Sequence, residues 1–95
     1  MSRNHDRLAV KAAQLAAENT LLDLATEKPA TVAGALLAHP DLFRELHDDM
    51  ARMLLLALMD RGQAETLRQL LGLKATGRRK ATLLAELLLR DAFGE

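Results

Sequence analysis

The sequence contains no cysteine, no isoleucine, two valines and two aromatic residues, both phenylalanine. Without cysteine, the chain can form neither a disulfide framework nor a thiolate metal site. Strands are preferentially built from Val, Ile and aromatic residues, so the composition does not favour a β fold. Bases of single-stranded nucleic acid stack on aromatic side chains, so this mode of binding is poorly supported as well.

Long apolar runs are also missing. No segment approaches the roughly 18 apolar residues of a membrane-spanning helix. Met1 to Asp6 are polar and lead into no apolar core of signal-peptide length. We therefore expect a cytoplasmic protein that has no membrane partner.

What the sequence does contain is typical of a helical domain. Hydrophobic residues make up 49% of the 95 positions and charged residues 27%, as in ordinary globular proteins. Most of the apolar residues are Leu and Ala, which together with Arg, Glu and Gln have high helix propensity. We predict a single all-α domain over residues 1–95, folded as a compact helical bundle.

Apolar periodicity and helix-breaking residues predict five helices. Pro29, Pro40, Gly62 and Gly72 delimit them. The prediction is a long first helix (4–26), a short second (30–38), a long central third (40–61), a short fourth (63–71) and a C-terminal fifth (78–93).

The predicted helices carry more leucine than one small bundle can bury. The first helix has two apolar stripes, and Met53 to Met59 is apolar all round. Asn19, beside the first stripe, could fix register in a helix pairing or lie at a solvent edge. The surplus predicts a homodimer, or a docking surface for a different protein. The candidate interface residues are Leu8, Leu15, Leu22, Leu55, Leu83 and Leu89.

Charge is balanced overall but unevenly distributed. Residues 41–60 contain five acids and two bases, whereas 61–80 contain six bases and one acid. This pattern indicates either ion pairs between neighbouring helices or a two-sided surface that steers partners. We favour the first interpretation.

The sequence offers little catalytic chemistry. The only histidines are His5, at a polar helix end, His39, at a helix junction, and His47. His47 has no potential metal ligand three or four residues away on its helix face. No phosphate-binding glycine loop is present. We therefore expect no enzymatic activity, no cofactor and no metal.

The segment most suggestive of function is basic, with Lys74, Arg78, Arg79 and Lys80 at a loop and a helix start. Free N–H groups at a helix N-terminus can hold a phosphate, so these residues are candidate nucleic-acid or partner contacts. The zero net charge of the chain argues against strong nonspecific DNA binding. The alternative is a solvated loop that contacts the acidic block 41–60.

Around this segment the sequence resembles the SAP-type helix–loop–helix DNA-binding motif. The resemblance spans 70–88, in the residues Gly72, Leu73, Gly77, Lys80, Leu83 and Leu87. Lys80 lies one residue too far from Gly77, however, and the preceding leucines are out of phase with the motif's first helix. We do not assign the chain to that family.

Together these patterns predict a small helical protein–protein interaction module. It would act by binding, in a regulatory or inhibitory role, with itself as a homodimer or with another protein. The second hypothesis is a DNA-binding protein that uses the basic segment at 74–80.

Overall fold

A computed structural model describes the backbone of residues 3–94, and their side chains except those of 3–8, 10, 11, 14, 15 and 74. Residues 3–94 form six α-helices and one short 3-10 helix and contain no strand. The predicted all-α class is confirmed. In chain order the helices are α1 (Arg3–Glu27), α2 (Pro29–Ala38), α3 (Pro40–Glu45), α4 (Asp48–Asp60), α5 (Ala64–Leu71), the 3-10 helix Lys74–Thr76 and α6 (Arg78–Ala92).

The prediction of one long third helix is wrong, because two residues that are not helical interrupt it. Leu46 and His47 are extended, with ψ of 148° and 144°, and they separate α3 from α4. No proline or glycine marks the break. Because of this break, Phe43 of α3 and Ala51 of α4 are both buried in the same core. The bundle therefore has six α-helices rather than five.

The hydrophobic core lies between α2, α3, α4, α5, α6 and the C-terminal half of α1. Helix α1 contacts α2 and α4, α2 contacts α5, and α6 contacts α4 and α5. Leucines supply most of the buried volume, and Phe43 is the one aromatic side chain in the core. The largest fully buried apolar side chains are Phe43, Leu54, Leu55, Leu58, Leu67, Leu70, Leu84 and Leu87.

The apolar run at 53–59 is not buried all round. Leu54, Leu55 and Leu58 face the core, whereas Met53 and Leu56 are exposed. One bundle therefore buries a single face of α4, as helical periodicity allows.

The N-terminal half of α1 extends beyond the bundle. Its described side chains are all exposed, and Glu18 is the first buried residue among the described side chains of the helix. Twenty-five residues make α1 roughly 37 Å long, which exceeds the 28 and 25 Å of the two short axes of the molecule. We call residues 3–17 the arm. The described exposed alanines of the arm are Ala9, Ala12, Ala13, Ala16 and Ala17.

The hydropathy of the helices bears on the membrane prediction. Within the described part of the chain, no helix combines the length and the apolar character that crossing a bilayer requires.

Two neighbouring leucines provide a test of this packing. Leu55 is 0% exposed and Leu56 is 45% exposed. Leu55→Ala should lower the free energy of unfolding by about 2–5 kcal/mol, because it opens a cavity in the core. Leu56→Ala should lower it by about 1 kcal/mol or less, since the side chain already contacts water. Urea denaturation measures both, and equal losses would contradict the orientation of α4.

Candidate functional site

The basic segment lies where α6 begins. The 3-10 helix Lys74–Thr76 precedes Gly77, whose φ of +83° turns the chain into α6. Arg78 and Arg79 are exposed, but Lys80 is only 6% exposed. The side chain of Lys74 lies outside the described residues. The four predicted contact residues therefore do not form one exposed basic patch.

Asp48, the first residue of α4, binds two of these cations. Lys80 Nζ donates a hydrogen bond to Asp48 Oδ1 at 2.9 Å, and Arg79 Nε lies 3.2 Å from Asp48 Oδ2. The acidic and basic blocks are thus joined by ion pairs between α4 and α6. For these three residues, the interpretation of the charge pattern as internal pairing is confirmed.

This arrangement shifts the titration of Asp48. The hydrogen bond from Lys80 is the main cause that holds the pKa of the Asp48 carboxyl below its ordinary value of 3.8. The positive charges of Lys80 and Arg79 act in the same direction, while desolvation opposes them. Asp48 therefore stays ionised and keeps both cations engaged.

A cleft of about 550 Å³ surrounds these ion pairs, between the α3–α4 break and the start of α6. Its charged groups have both signs, so it does not concentrate positive potential as a phosphate site would. Among the described residues, no group of three His, Asp or Glu side chains could hold a metal ion. The ionisable residues that line the cleft are Arg44, His47, Asp48, Asp49, Arg79 and Lys80.

The leucines predicted to form an interface are dispersed. Leu55 and Leu83 are buried in the core, so neither is available to a partner, and this assignment is corrected. Both face the core because α4 and α6 pack against each other there. Leu22 is half-buried and Leu89 is exposed. Leu8 and Leu15 have side chains outside the described residues.

Sequence reasoning missed an apolar groove between α1 and α3, with a volume of about 300 Å³. The exposed Leu42 and the half-buried Leu21 and Leu46 form its walls. Its α1 side belongs to the second apolar stripe of that helix, which remains accessible at Ala17 and Leu24. We call this the docking groove, and it is lined by Ala17, Glu18, Leu21, Leu42, Glu45 and Leu46.

Glu18 is the unusual residue of the docking groove. It is 4% exposed, and its Oε1 lies 3.0 Å from His47 Nδ1, which donates the hydrogen bond. Its Oε2 is buried and has no hydrogen-bond partner among the described residues. A buried carboxylate oxygen without a donor is costly. The carboxylate of Glu18 therefore has one unsatisfied oxygen, which lies below the surface of the groove.

The position of Glu18 in the sequence already indicates that this residue is unusual. It lies three residues after Leu15 and four before Leu22, on the inward stripe of α1. A carboxylate at such a position is rarely buried without a role. Asn19, which drew attention instead, is exposed.

Comparison with known proteins adds no family. No protein-family model, curated protein or solved structure matches this chain.

The pH dependence of stability tests the role of Asp48. Because its pKa is lowered in the folded state, its stabilising effect is present above the unfolded value and is lost as pH falls through the folded value. Asp48→Asn should therefore be less stable than the wild type near neutral pH, and the difference should vanish well below pH 3.8. Thermal unfolding monitored by circular dichroism measures this.

Asp49→Asn provides the control, because it removes a carboxylate from the same helical turn of α4. It should lose less stability than Asp48→Asn near neutral pH. A difference between Asp48→Asn and the wild type that persists unchanged at low pH would contradict the ion-pair interpretation.

The turn into α6 provides another test. Gly77→Ala should cost about 1–2 kcal/mol, because φ there is +83° and Arg44 Cδ lies 3.4 Å from the added methyl group. Gly34→Ala, in the open middle of α2, should instead stabilise by about 0.5–1 kcal/mol. Denaturant unfolding of both variants measures the two changes in the free energy of unfolding. Changes of the same sign would contradict the turn geometry.

Proposed function

We propose that this chain is a protein-interaction module that acts by binding rather than by catalysis, and that the docking groove is its binding surface. The observation that carries the proposal is the open groove itself, which is lined by the exposed side chains of Leu42 and Glu45. Apolar side chains left open to water favour association. A regulatory or inhibitory role is consistent with a function based on occupancy alone.

The chemistry of the groove specifies its occupant. Leu21, Leu42 and Leu46 match apolar side chains, while the exposed Glu45 matches a cationic one. An amphipathic helix places apolar residues along one stripe and basic residues along its edge, so it meets both demands. We therefore propose an amphipathic helix with a basic edge as the ligand.

DNA binding through the basic segment is less well supported. Arg79 and Lys80 are engaged by Asp48, and Lys80 is buried, so their charges are partly neutralised before any phosphate arrives. The hypothesis stays a prediction. A mobility-shift assay with duplex DNA at low salt decides it, because binding that uses these cations should weaken in Arg78→Ala/Arg79→Ala/Lys80→Ala.

A fluorescent model peptide of leucine and lysine in an amphipathic helical pattern tests the docking groove. Fluorescence anisotropy should show binding to the wild type. Leu42→Ser should raise Kd by roughly tenfold or more, because burying a leucine contributes about 1.5–3 kcal/mol. A peptide with glutamate in place of lysine should bind more weakly, since Glu45 repels it.

Leu89→Ser is the matched control, because Leu89 is 58% exposed and Leu42 is 55% exposed. The control variant should bind the peptide as the wild type does. Equal affinity of Leu42→Ser and wild type, or no peptide binding at all, would refute the assignment of the groove.

A further inference from the structure

The C-terminal end of α6 presents apolar side chains to solvent. Leu89 is 58% exposed and Phe93 is 78% exposed, so they are the two most exposed large apolar residues in the described part of the chain. They lie four residues apart, and both therefore lie on one side of the helix end. Arg90 is also exposed and forms no ion pair with another described residue. We call these three residues the tip.

The tip matches the chemistry of the docking groove. Leu89 and Phe93 supply apolar side chains for a groove that includes the exposed Leu42. Arg90 supplies a cation for Glu45, whose one ion pair among the described residues is exposed and 3.8 Å long. The groove, at about 300 Å³, has room for a single anchoring side chain such as an aromatic ring. Resting on the proposed function, we infer that the tip of a second copy of this chain occupies the docking groove.

The tip and the docking groove lie at opposite ends of the bundle. Asp48 and Lys80 pair where α4 and α6 begin, and further along Arg52 and Glu86 line a common cleft, so the two helices run in the same direction. Leu46, two residues before α4, places the groove at the end where both helices begin. The tip lies roughly 20 Å away along α6, since a helix rises about 1.5 Å per residue. A chain therefore cannot fill its own groove with its own tip.

Complementary surfaces at opposite ends produce a head-to-tail contact. When a second copy places its tip in the groove of the first, the first copy keeps a free tip and the second keeps a free groove. Such a heterologous contact builds a ring or an open chain rather than a two-fold dimer. A groove that holds one anchoring side chain gives an interface below about 1,200 Å² in total, a size typical of transient complexes. We therefore expect weak, reversible assembly whose average size increases with concentration.

Light scattering over a series of protein concentrations tests this assembly. The average mass should equal the 10.4 kDa of one chain at low concentration and should exceed twice that mass at high concentration. Leu89→Ser and Leu42→Ser should each raise the Kd of assembly by roughly tenfold or more, because each removes a leucine from the contact. Leu56→Ser is the control, since Leu56 is 45% exposed but belongs to neither surface. Circular dichroism checks that all three variants are folded.

A mixture of two defective variants tests the head-to-tail arrangement. Leu42→Ser keeps an intact tip, and Leu89→Ser keeps an intact groove. Each variant alone should stay monomeric at concentrations where the wild type assembles. Mixed in equal amounts, they should form a dimer of twice the 10.4 kDa and grow no further, because only one productive contact is possible per pair.

An exchange of charges tests the contact between Arg90 and Glu45. Arg90→Glu and Glu45→Arg should each raise the Kd of assembly by roughly threefold or more, because each places like charges opposite one another. The double variant Arg90→Glu/Glu45→Arg should restore the Kd of the wild type. The two residues lie at opposite ends of one chain, so this rescue reports an intermolecular contact.

The outcomes separate this inference from the proposed function. A monomer at every concentration, an assembly that stops at two copies, or an assembly insensitive to Leu42→Ser and Leu89→Ser refutes the head-to-tail inference. If such a chain still binds the leucine–lysine peptide through Leu42, the docking groove stands and only its occupant is wrong. If it binds no peptide, both proposals are wrong.

Discussion

Three consecutive residues at the break between α3 and α4 hold the separate parts of this structure together. Leu46 lines the docking groove, His47 donates a hydrogen bond to Glu18 of α1, and Asp48 pairs with Lys80 of α6. In a continuous helix, successive side chains diverge by about 100 degrees and would not reach these partners together. The extended backbone at Leu46 and His47 thus sets the position of α1 and α6 relative to α4.

The polar contacts at this junction specify geometry more than they add stability. Lys80 and Glu18 are both buried. The free-energy cost of removing a charge from water offsets much of the favourable energy of its interaction with a partner. Asp48 is half-exposed, so its pairs with Lys80 and Arg79 are partly solvated. The apolar core, dominated by leucine, supplies the main driving force for folding. The ion pairs determine which helix ends meet.

The charge distribution has a consequence for binding. Pairing between the 41–60 and 61–80 blocks uses Asp48, Arg79 and Lys80 inside the molecule. The exposed Glu45, which lines the apolar docking groove, stays outside that pairing. A chain with zero net charge therefore still has an acidic side chain beside an apolar groove.

The sequence by itself determined the all-α class and most helix ends to within one residue, because propensity, periodicity and the placement of proline and glycine act locally. It did not determine the break at Leu46 and His47, nor which leucines are available to a partner. Periodicity groups residues onto a helix face, but which face turns inward depends on helices far away in the chain. Leu55 and Leu56 differ in solvent exposure for that reason. The same holds for Glu18, whose burial depends on His47, 29 residues later, so only the tertiary structure could reveal its unpartnered oxygen.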